Sequence, residues 1–399
     1  MAKKAEIDHS SRKHALLSAS KAERWLNCPP SARLEEKFRE SNPVKSSVYA
    51  EEGTLAHEFA NIILLHKLGQ MSDNSFRVEF AKLTKNELYS EEMIPEVTKF
   101  VDYVMEQYQE AQTRTGGQAV CLIEQNLDFS NYVEQGFGTG DAVVIGDGIM
   151  EVIDLKYGKG VQVDAVENPQ LSLYGLGALN VYDMMFDINE VKLTIFQPRI
   201  DNYSSWVTTP EKLTTWGDKV VRPIAEKAYV GAGLHKAGEH CRWCEVKAMC
   251  YTLAQRNIQL AKNDFKEPEL LTIKELVAIY RQLPMLTDWA NSVAEYLKDQ
   301  ARKGNEVPGY KLVAGTSQRK ITDEKGLREK LHQLGYEDEQ FEKTQLAGIP
   351  AIEKLVGKDV FNKVLGDFWV KPEGTPTLVP REDPRPELGS AESASKDFS

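Results

Sequence analysis

The sequence predicts a mixed α/β fold in which strands and amphipathic helices alternate. Residues 142–156 form two β-type apolar runs separated by the turn-forming pair Asp147-Gly148, a pattern typical of a β-hairpin. Residues 119–129 and 191–200 are further apolar runs of strand length, whereas residues 91–115 repeat apolar side chains at helical spacing. Strands that alternate with helices in this way indicate a sheet with helices packed on it.

The hairpin places charged side chains opposite one another. If its turn consists of Asp147 and Gly148 alone, counting outward sets Asp141 directly across from Asp154, with Lys156 on the face of Asp154. Carboxylates about 5 Å apart repel by roughly 1 kcal/mol in water and roughly 3 kcal/mol at an effective dielectric of 20. A divalent cation reverses this repulsion, because hard oxygen ligands suit Mg²⁺ or Mn²⁺. The alternative is two exposed acids with a lysine partner on a solvated face.

These residues resemble the motifs of a known nuclease superfamily. Gly140-Asp141 followed by Asp154-Leu155-Lys156 is similar to the central motifs of the PD-(D/E)-x-K nucleases. Gln170 and Tyr174, four residues apart on one helix face, resemble the Gln-x-x-x-Tyr helix of the RecB-type exonuclease branch. The resemblance implies a restriction-endonuclease-like core, which is a mixed central sheet flanked by helices.

A histidine upstream completes the resemblance. Residues 53–57, Gly-Thr-Leu-Ala-His, resemble the first motif of the RecB-type branch, whose histidine joins the metal site. On spacing alone, His57 lies on the apolar face of a helix over residues 51–69, where a histidine is more often a core residue than a ligand. The resemblance makes it a ligand, and Glu124 is a second-rank candidate for a further carboxylate.

The implied activity is metal-dependent hydrolysis of DNA by an exonuclease. In it, His57, Asp141 and Asp154 bind Mg²⁺ or Mn²⁺, and Lys156 stabilises developing negative charge. Gln170 and Tyr174 position the strand or the lysine. Two alternatives remain open: a catalytically silent DNA-binding or assembly protein on the same fold, against which the intact acids and lysine speak, and a nuclease acting on RNA.

Four of the five cysteines suggest a second metal site. Cys241, Cys244 and Cys250 lie within ten residues, and Cys28 stands in an N-terminal Cys-Pro segment. This arrangement resembles the iron–sulfur-containing (AddB-like) RecB-type nucleases and implies a structural [4Fe-4S] cluster that joins the N-terminal helix to the end of the nuclease domain. Zinc is the rival, because four thiolates suit either metal and spacing does not choose between them. Cys121, in an apolar run, is expected to be a packing residue.

Composition limits the setting and the partners. The net charge of −11 divides into +4 over residues 1–45, +5 over residues 219–262 and −20 elsewhere, so charge neither supports nor excludes DNA as a partner. A polar N-terminus and the lack of a long apolar run predict a cytoplasmic protein without a membrane segment. The layout resembles a phage and prophage branch of RecB-type proteins, which implies a bacterial host cell and partners such as a helicase or a single-strand annealing or binding protein.

Three regions are expected along the chain. Residues 1–262 are the nuclease domain with its cysteine-ligated cluster, and residues 263–370 are a mostly helical region of unknown role, with a long helix that is interrupted or bent near Pro284. Residues 371–399 are rich in Pro, Glu and Ser, which predicts a flexible tail.

Overall fold

The computed structural model describes residues 15–42, 47–263, 273–315, 319–341, 348–370, 376–380 and 387–388. The chain forms two compact units, Met1–Met285 and Leu286–Ser399. The helices of the first unit are α1 (Ala22–Asn27), α2 (Ser31–Ser41), α3 (Val48–Lys67), α4 (Asp73–Leu83), α5 (Met93–Thr115), α6 (Pro169–Phe186), α7 (Pro210–Trp216), α8 (Arg222–Val230), α9 (Tyr251–Asn263) and α10 (Ile273–Tyr280). Its strands are β1 (Val120–Asp128), β2 (Phe137–Gly146), β3 (Ile149–Leu155), β4 (Glu190–Gln197) and β5 (Asn202–Thr208).

The five strands form one mixed sheet in the order β1-β2-β3-β4-β5. Strands β1, β2 and β3 are antiparallel neighbours, β4 lies parallel to β3, and β5 is antiparallel to β4. The parallel step is made by α6, which leads from the end of β3 to the start of β4. The predicted α/β class is confirmed at this level, a five-stranded mixed sheet flanked by helices.

The hairpin has the predicted turn and register. Asp147 and Gly148 both adopt left-handed φ, at 57° and 71°, which is the two-residue type I′ geometry. Gly146 pairs with Ile149 and the ladder runs to Ala142 opposite Ile153, so Asp141 and Asp154 follow as the next opposed positions.

Alternate residues of the hairpin face two separate cores. Val143 and Ile145 pack on the side of α6, α7 and α8, whereas Ala142 and Val144 pack on the side of α3 and α5. Helix α5 contributes the predicted apolar stripe, and its residues Val97, Phe100, Val101 and Val104 are fully buried. The sheet is therefore covered on both faces, which explains why β2 and β3 are apolar along nearly their whole length.

The second unit contains helices, short strands and a core of its own. Its elements are α12 (Glu324–Gln333), α13 (Asp338–Phe341), α14 (Ile349–Val356), α15 (Lys358–Val364), β6 (Tyr310–Val313), β7 (Lys320–Ile321), β8 (Trp369–Val370) and β9 (Thr377–Pro380). Helix α11 (Leu283–Arg302) begins in the first unit, and Pro284 stands at its second position, after a break from α10. The break near Pro284 thus agrees with the prediction, because proline suits the first turn of a helix and not its interior.

Two boundaries differ from the sequence-based expectation. The first compact unit extends to Met285 and includes α10, so the boundary expected after residue 262 falls inside it, near the end of α9. Residues 371–399 were expected to form a flexible tail, but within them Thr377–Pro380 forms β9 and pairs with β6. These ladder hydrogen bonds give the backbone of a Pro-rich segment the partners that it cannot supply to itself. Among the described helices, none has both the length and the apolarity to cross a bilayer.

The close approach of α6 to the sheet gives a test of the fold. A Cβ at Gly177 would lie 2.9 Å from the backbone carbonyl carbon of Leu127 in β1, and a strand backbone inside a sheet has little freedom to move away. Gly177→Ala should therefore lower the free energy of unfolding by about 1–3 kcal/mol, measured by urea denaturation. The control is Gly53→Ala in α3, where a Cβ meets open space and alanine should stabilise by up to about 1 kcal/mol. Equal effects in the two variants would contradict the packing.

Candidate metal centre

Three side chains from three different elements converge at one end of the sheet. His57 of α3, Glu124 of β1 and Asp141 of β2 each offer one ligand atom, and these three atoms all lie within 4.8 Å of one another. Two carboxylate oxygens and an imidazole nitrogen form a donor set that suits Mg²⁺ less well than Mn²⁺, which accepts nitrogen more readily. The group is therefore a candidate site for a divalent cation.

Asp141 is held at both of its oxygens. Its Oδ1 lies 2.8 Å from His57 Nδ1, and its Oδ2 accepts a hydrogen bond of 2.7 Å from the backbone N–H of Leu155. The second bond crosses the hairpin next to Asp154, which ties the two opposed positions together. As a result, the orientation of Asp141 is set by both α3 and β3.

Asp154 belongs to a second, adjoining group. It is 5% exposed, and its Oδ1 accepts a hydrogen bond from Gln170 Nε2 at 3.2 Å. Lys156 Nζ lies 2.9 Å from Asp154 Oδ2 and donates to Gln170 Oε1 at 2.9 Å. Although Lys156 is close, Asp154 Oδ2 makes no well-directed hydrogen bond to any described residue, so this buried oxygen keeps a lone pair for another partner.

Helix α6 brings the last two predicted residues into contact. Asn168 caps the helix by accepting from the backbone N–H groups of Gln170 and Leu171. Gln170 Nε2 also donates to Tyr174 Oη at 3.2 Å, one helical turn further on. Gln170 therefore bridges the acid, the lysine and the tyrosine. The six residues predicted for this site thus fall into two adjoining groups, one of His57 and Asp141 with Glu124 and the other of Asp154, Lys156, Gln170 and Tyr174.

Glu124 is the residue that the sequence ranked too low. It lies between the pairs Ile123–Ala142 and Gln125–Gly140, and therefore opposite Asp141. Its φ of 52° interrupts the β1–β2 ladder, and such a conformation costs a non-glycine residue on the order of 1–3 kcal/mol. Backbone strain at an acidic residue within a strand is expected where its side chain binds a ligand or takes part in a reaction. The signal in the sequence was a glutamate directly after the apolar run of residues 119–123, inside the strand predicted over residues 119–129.

Burial and the neighbouring charges together set the protonation of the centre. Burial lowers the pKa of His57, but the charge of Asp141 and the hydrogen bond to it outweigh burial and raise this pKa to about 9. Partial burial and then the charge of Asp141 raise the pKa of Glu124 to about 7. Burial likewise raises the pKa of Asp154, against the opposing effect of Lys156. In the absence of a metal, the proton on His57 thus neutralises part of the negative charge.

An ion pair supports the helix that carries His57. Arg199, just after β4, lies with its guanidinium 3.0 Å from Glu52 of α3 and 4.5 Å from the ring centroid of Tyr157. These two partners, a carboxylate and an aromatic ring, let Arg199 join α3 to the end of the sheet.

The four predicted cluster cysteines line one small cavity, but among the described residues no three of their sulfurs all lie within 4.8 Å of one another. Cys28 follows α1, Cys241 and Cys244 lie in and after a 3₁₀ turn, and Cys250 precedes α9. Burial raises the pKa of Cys28, Cys241 and Cys244, the last to about 12. Backbone N–H groups point at several of the sulfurs, as in the 3.5 Å contact from Gly238 to Cys241 Sγ. Cys121 lies apart from them in β1, in the core against α3 and α5, as predicted for a packing residue.

A buried glutamate connects the N-terminal helices to the cysteine loop. Glu35 of α2 is 2% exposed, and both of its carboxylate oxygens contact Arg24 of α1. Arg24 Nε lies 2.7 Å from Oε1, and Arg24 Nη2 donates to Oε2 at 3.1 Å. It also accepts from the backbone N–H of Glu245 at 3.1 Å. Lys21 and Arg39 complete the network by pairing with both Glu35 and Glu245. Nothing in the spacing of these charges predicts the network, because its two halves lie about 200 residues apart.

Comparison with known proteins gives a matching family and similar solved structures. The model of the DUF2800 family, described as "Protein of unknown function", matches residues 14–386. A solved structure described as "Crystal structure of SSO0001" is 13% identical to this chain, with 58% of this chain and 95% of that chain covered and a TM-score of 0.22.

The His57 proton gives a prediction about stability and pH. Because the pKa in the folded protein, about 9, exceeds the ordinary value of 6.5, the stability that this proton contributes is complete below pH 6.5 and is lost as the pH rises through about 9. Metal-free protein in chelator should therefore melt at a lower temperature at pH 9 than at pH 7. The window lies above that of Glu124, whose raised pKa affects stability between about 4.5 and 7.

His57→Gln should remove this component of the pH dependence, whereas His66→Gln on the same helix should keep it. Calorimetric melting curves at three pH values would measure the difference. An unchanged profile in His57→Gln would show that the pair with Asp141 does not hold a proton.

Proposed function

The chain belongs to the DUF2800 family of proteins of unknown function, and we propose that its metal centre is the active site of a divalent-metal-dependent nuclease that hydrolyses DNA. The observation that carries the proposal is the convergence of His57, Glu124 and Asp141, beside the Asp154, Lys156 and Gln170 network. Opposed acids and a lysine on one hairpin, next to a Gln-x-x-x-Tyr helix, are what the RecB-type resemblance implies. The finer assignment of the sheet as a PD-(D/E)-x-K core is part of this proposal.

The residues present suit a hard divalent cation. Asp154 Oδ2, which is buried, and the carboxylate oxygens of Asp141 offer ligands on adjoining strands, and Glu124 and His57 flank them. When bound, Mg²⁺ or Mn²⁺ supplies Lewis acidity and a metal-bound water of lowered pKa. Raised carboxyl pKa values at Asp154 and Glu124 would fall on binding, because the cation favours the ionised form.

The chain's own groups would then handle substrate charge and geometry. Lys156 is held between Asp154 and Gln170 at 2.9 Å from each, so its ammonium is fixed in place before a phosphate arrives. A cation in a fixed position stabilises developing negative charge without reorganising. Gln170 is held in place because its side chain donates to Tyr174 and its backbone N–H donates to Asn168. Since Gln170 also accepts a hydrogen bond from Lys156, the ammonium does not pair with Asp154 alone. The tyrosine is therefore a positioning residue in this proposal.

The proposed activity predicts a defined loss on mutation. Asp154→Asn keeps the size of the side chain and its Oδ1 acceptor but removes a charge, and it should reduce Mg²⁺- or Mn²⁺-dependent degradation of DNA at least about a hundredfold. The matched control is Glu134→Gln, an exposed acid that lies outside the network. The assay is the release of nucleotides from end-labelled linear DNA, run beside a covalently closed circle.

The circle distinguishes the mode of attack. An exonuclease consumes the linear DNA and leaves the circle closed, whereas nicking of the circle would make the enzyme an endonuclease. Wild-type activity in Asp154→Asn would refute the active site itself.

The cysteine site is proposed as a structural [4Fe-4S] centre, with zinc as the alternative. The support for this proposal is the residue type and its placement: four thiols line one cavity, a backbone N–H is directed at Cys241 Sγ, and thiolates suit either metal, which would draw the sulfurs together on binding. When bound, the group would supply covalent links from Cys28 to the segment of Cys241, Cys244 and Cys250. These links close a loop of more than 200 residues, so they remove conformational entropy that would otherwise oppose docking of the N-terminal helices.

Metal analysis separates these alternatives. Protein purified without oxygen should be brown and contain about four irons per chain, and Cys244→Ala should lose both the colour and the iron. Cys121→Ala, the fifth cysteine in β1, should keep them and is the control. Colourless protein with one zinc would establish the alternative, and wild-type protein without either metal would refute the site.

A further inference from the structure

Polar side chains of β4 and β5 hold the connection between β3 and α6 against the sheet. Gln197, at the end of β4, is 2% exposed. Its Oε1 accepts from the backbone N–H of Val163 at 2.7 Å, and its Nε2 donates to the carbonyl of Val161 at 3.0 Å. Gln197 therefore replaces the two hydrogen bonds that a neighbouring strand would give to this segment.

Two residues of β5 extend the same anchor. Asn202 Nδ2 donates to the carbonyl of Val163 at 2.9 Å and to Gln197 Oε1 at 2.7 Å. Ser204 Oγ accepts from the backbone N–H of Ala165 at 2.9 Å and donates to Asp164 at 2.8 Å. Residues 161–165 are thus fixed to the sheet by polar side chains, and burying such groups is favourable only because each is paired.

The anchored segment presents a short exposed tip, which we define as Gly158-Lys159-Gly160. All three residues are exposed, and a Cβ at either glycine would meet open space. Lys159 has no ion-pair or hydrogen-bond partner among the residues that the structure describes, in contrast to Lys156. The tip is therefore an unneutralised cation flanked by residues without side chains.

Chain length places this tip beside the metal centre. Lys159 is three residues beyond Lys156, so their Cα atoms lie at most about 11 Å apart. The other end of the loop leads into α6, whose Gln170 contacts both Asp154 and Lys156. The segment that carries the tip thus begins and ends at residues of the centre, Lys156 and Gln170.

We propose that the tip binds a backbone phosphate of the DNA strand, next to the phosphate that is cleaved. This inference rests on the proposed nuclease function and identifies an element that holds the substrate. Glycines on both sides let a phosphate approach the backbone closely, and Lys159 supplies the charge. Fixing the loop through Gln197 before binding lowers the entropic cost of ordering it on the substrate.

The alternative is that Lys159 is an ordinary solvated lysine on a connecting loop. It explains the exposure of Lys159 but not the buried glutamine and the asparagine that fix the segment behind it. A chain with a net charge of −11 also needs local cations wherever it holds a polyanion.

The test measures DNA binding separately from hydrolysis. Protein carrying Asp154→Asn is titrated with a fluorescently labelled DNA oligonucleotide in Mg²⁺, by anisotropy, at several NaCl concentrations. Adding Lys159→Ala should weaken binding about tenfold and reduce the slope of log K against log salt by about 0.7–0.9, the value for one phosphate contact. Adding Lys82→Ala, an exposed lysine of α4, should change neither.

A second variant separates the anchor from the charge. Gln197→Met keeps Lys159 but removes the hydrogen bonds to Val161 and Val163, so binding should weaken while the salt slope stays near that of the parent. Melting curves of each variant establish that the protein is folded at the assay temperature.

The outcomes distinguish this inference from the function on which it rests. If wild-type protein degrades DNA and Lys159→Ala leaves affinity and salt slope unchanged, the tip proposal is overturned and the nuclease proposal stands. If wild-type protein neither binds nor degrades DNA, the proposed function fails first. A Gln197→Met variant that is folded and binds with parental affinity would overturn the role of the anchor.

Discussion

The type I′ turn at Asp147-Gly148 is the constraint on which the arrangement of the metal centre depends. It fixes the register between β2 and β3, and register decides which face of a strand each side chain occupies. A slip of one residue would move Asp154 to the side of α3 and α5, where Ile153 and Leu155 are now fully buried. It would also separate Asp154 and Lys156 from Gln170 on α6. Two left-handed residues in a surface turn therefore determine the position of an acid some six residues away.

Negative charge concentrated at the centre is tolerated only because counter-charges arrive from other elements. Asp141 pairs with His57 and accepts a hydrogen bond from the backbone N–H of Leu155. Asp154 pairs with Lys156 and accepts a hydrogen bond from Gln170. Burial, and then the charge of Asp141, nevertheless raise the pKa of Glu124, and burial raises that of Asp154 against the effect of Lys156. The proton that His57 holds, with a pKa raised to about 9, offsets part of the negative charge of the acids. In the proposed site, a divalent cation would offset this charge in place of that proton.

Local sequence signals predicted the parts of the structure that local physics determines. The hairpin, its register and the α5 stripe follow from turn chemistry and periodicity, and each was correct. Strand β5 was missed, because Asn202–Thr208 alternates polar and apolar residues too weakly to stand out before the sheet is known. Glu124 was ranked low because its left-handed backbone is set by the ladder around it. The Glu35 network and the Gln197 anchor join residues far apart in sequence, and no spacing rule indicates such pairs.

The cysteine loop is held against α1 and α2 by a buried ion network. Glu35 is buried with Arg24, and a buried charge of this kind is stable only while its partners remain, so the network favours a single docked position for the loop. Burial raises the pKa of the thiols of Cys28, Cys241 and Cys244, and the charge of Glu35 acts in the same direction at Cys28 and Cys244. At Cys244 the opposing effect of Arg24 is smaller than that of Glu35. The network therefore positions the loop but does not favour thiolates, so at the proposed site the bound metal itself would have to displace the thiol protons and stabilise the resulting charge.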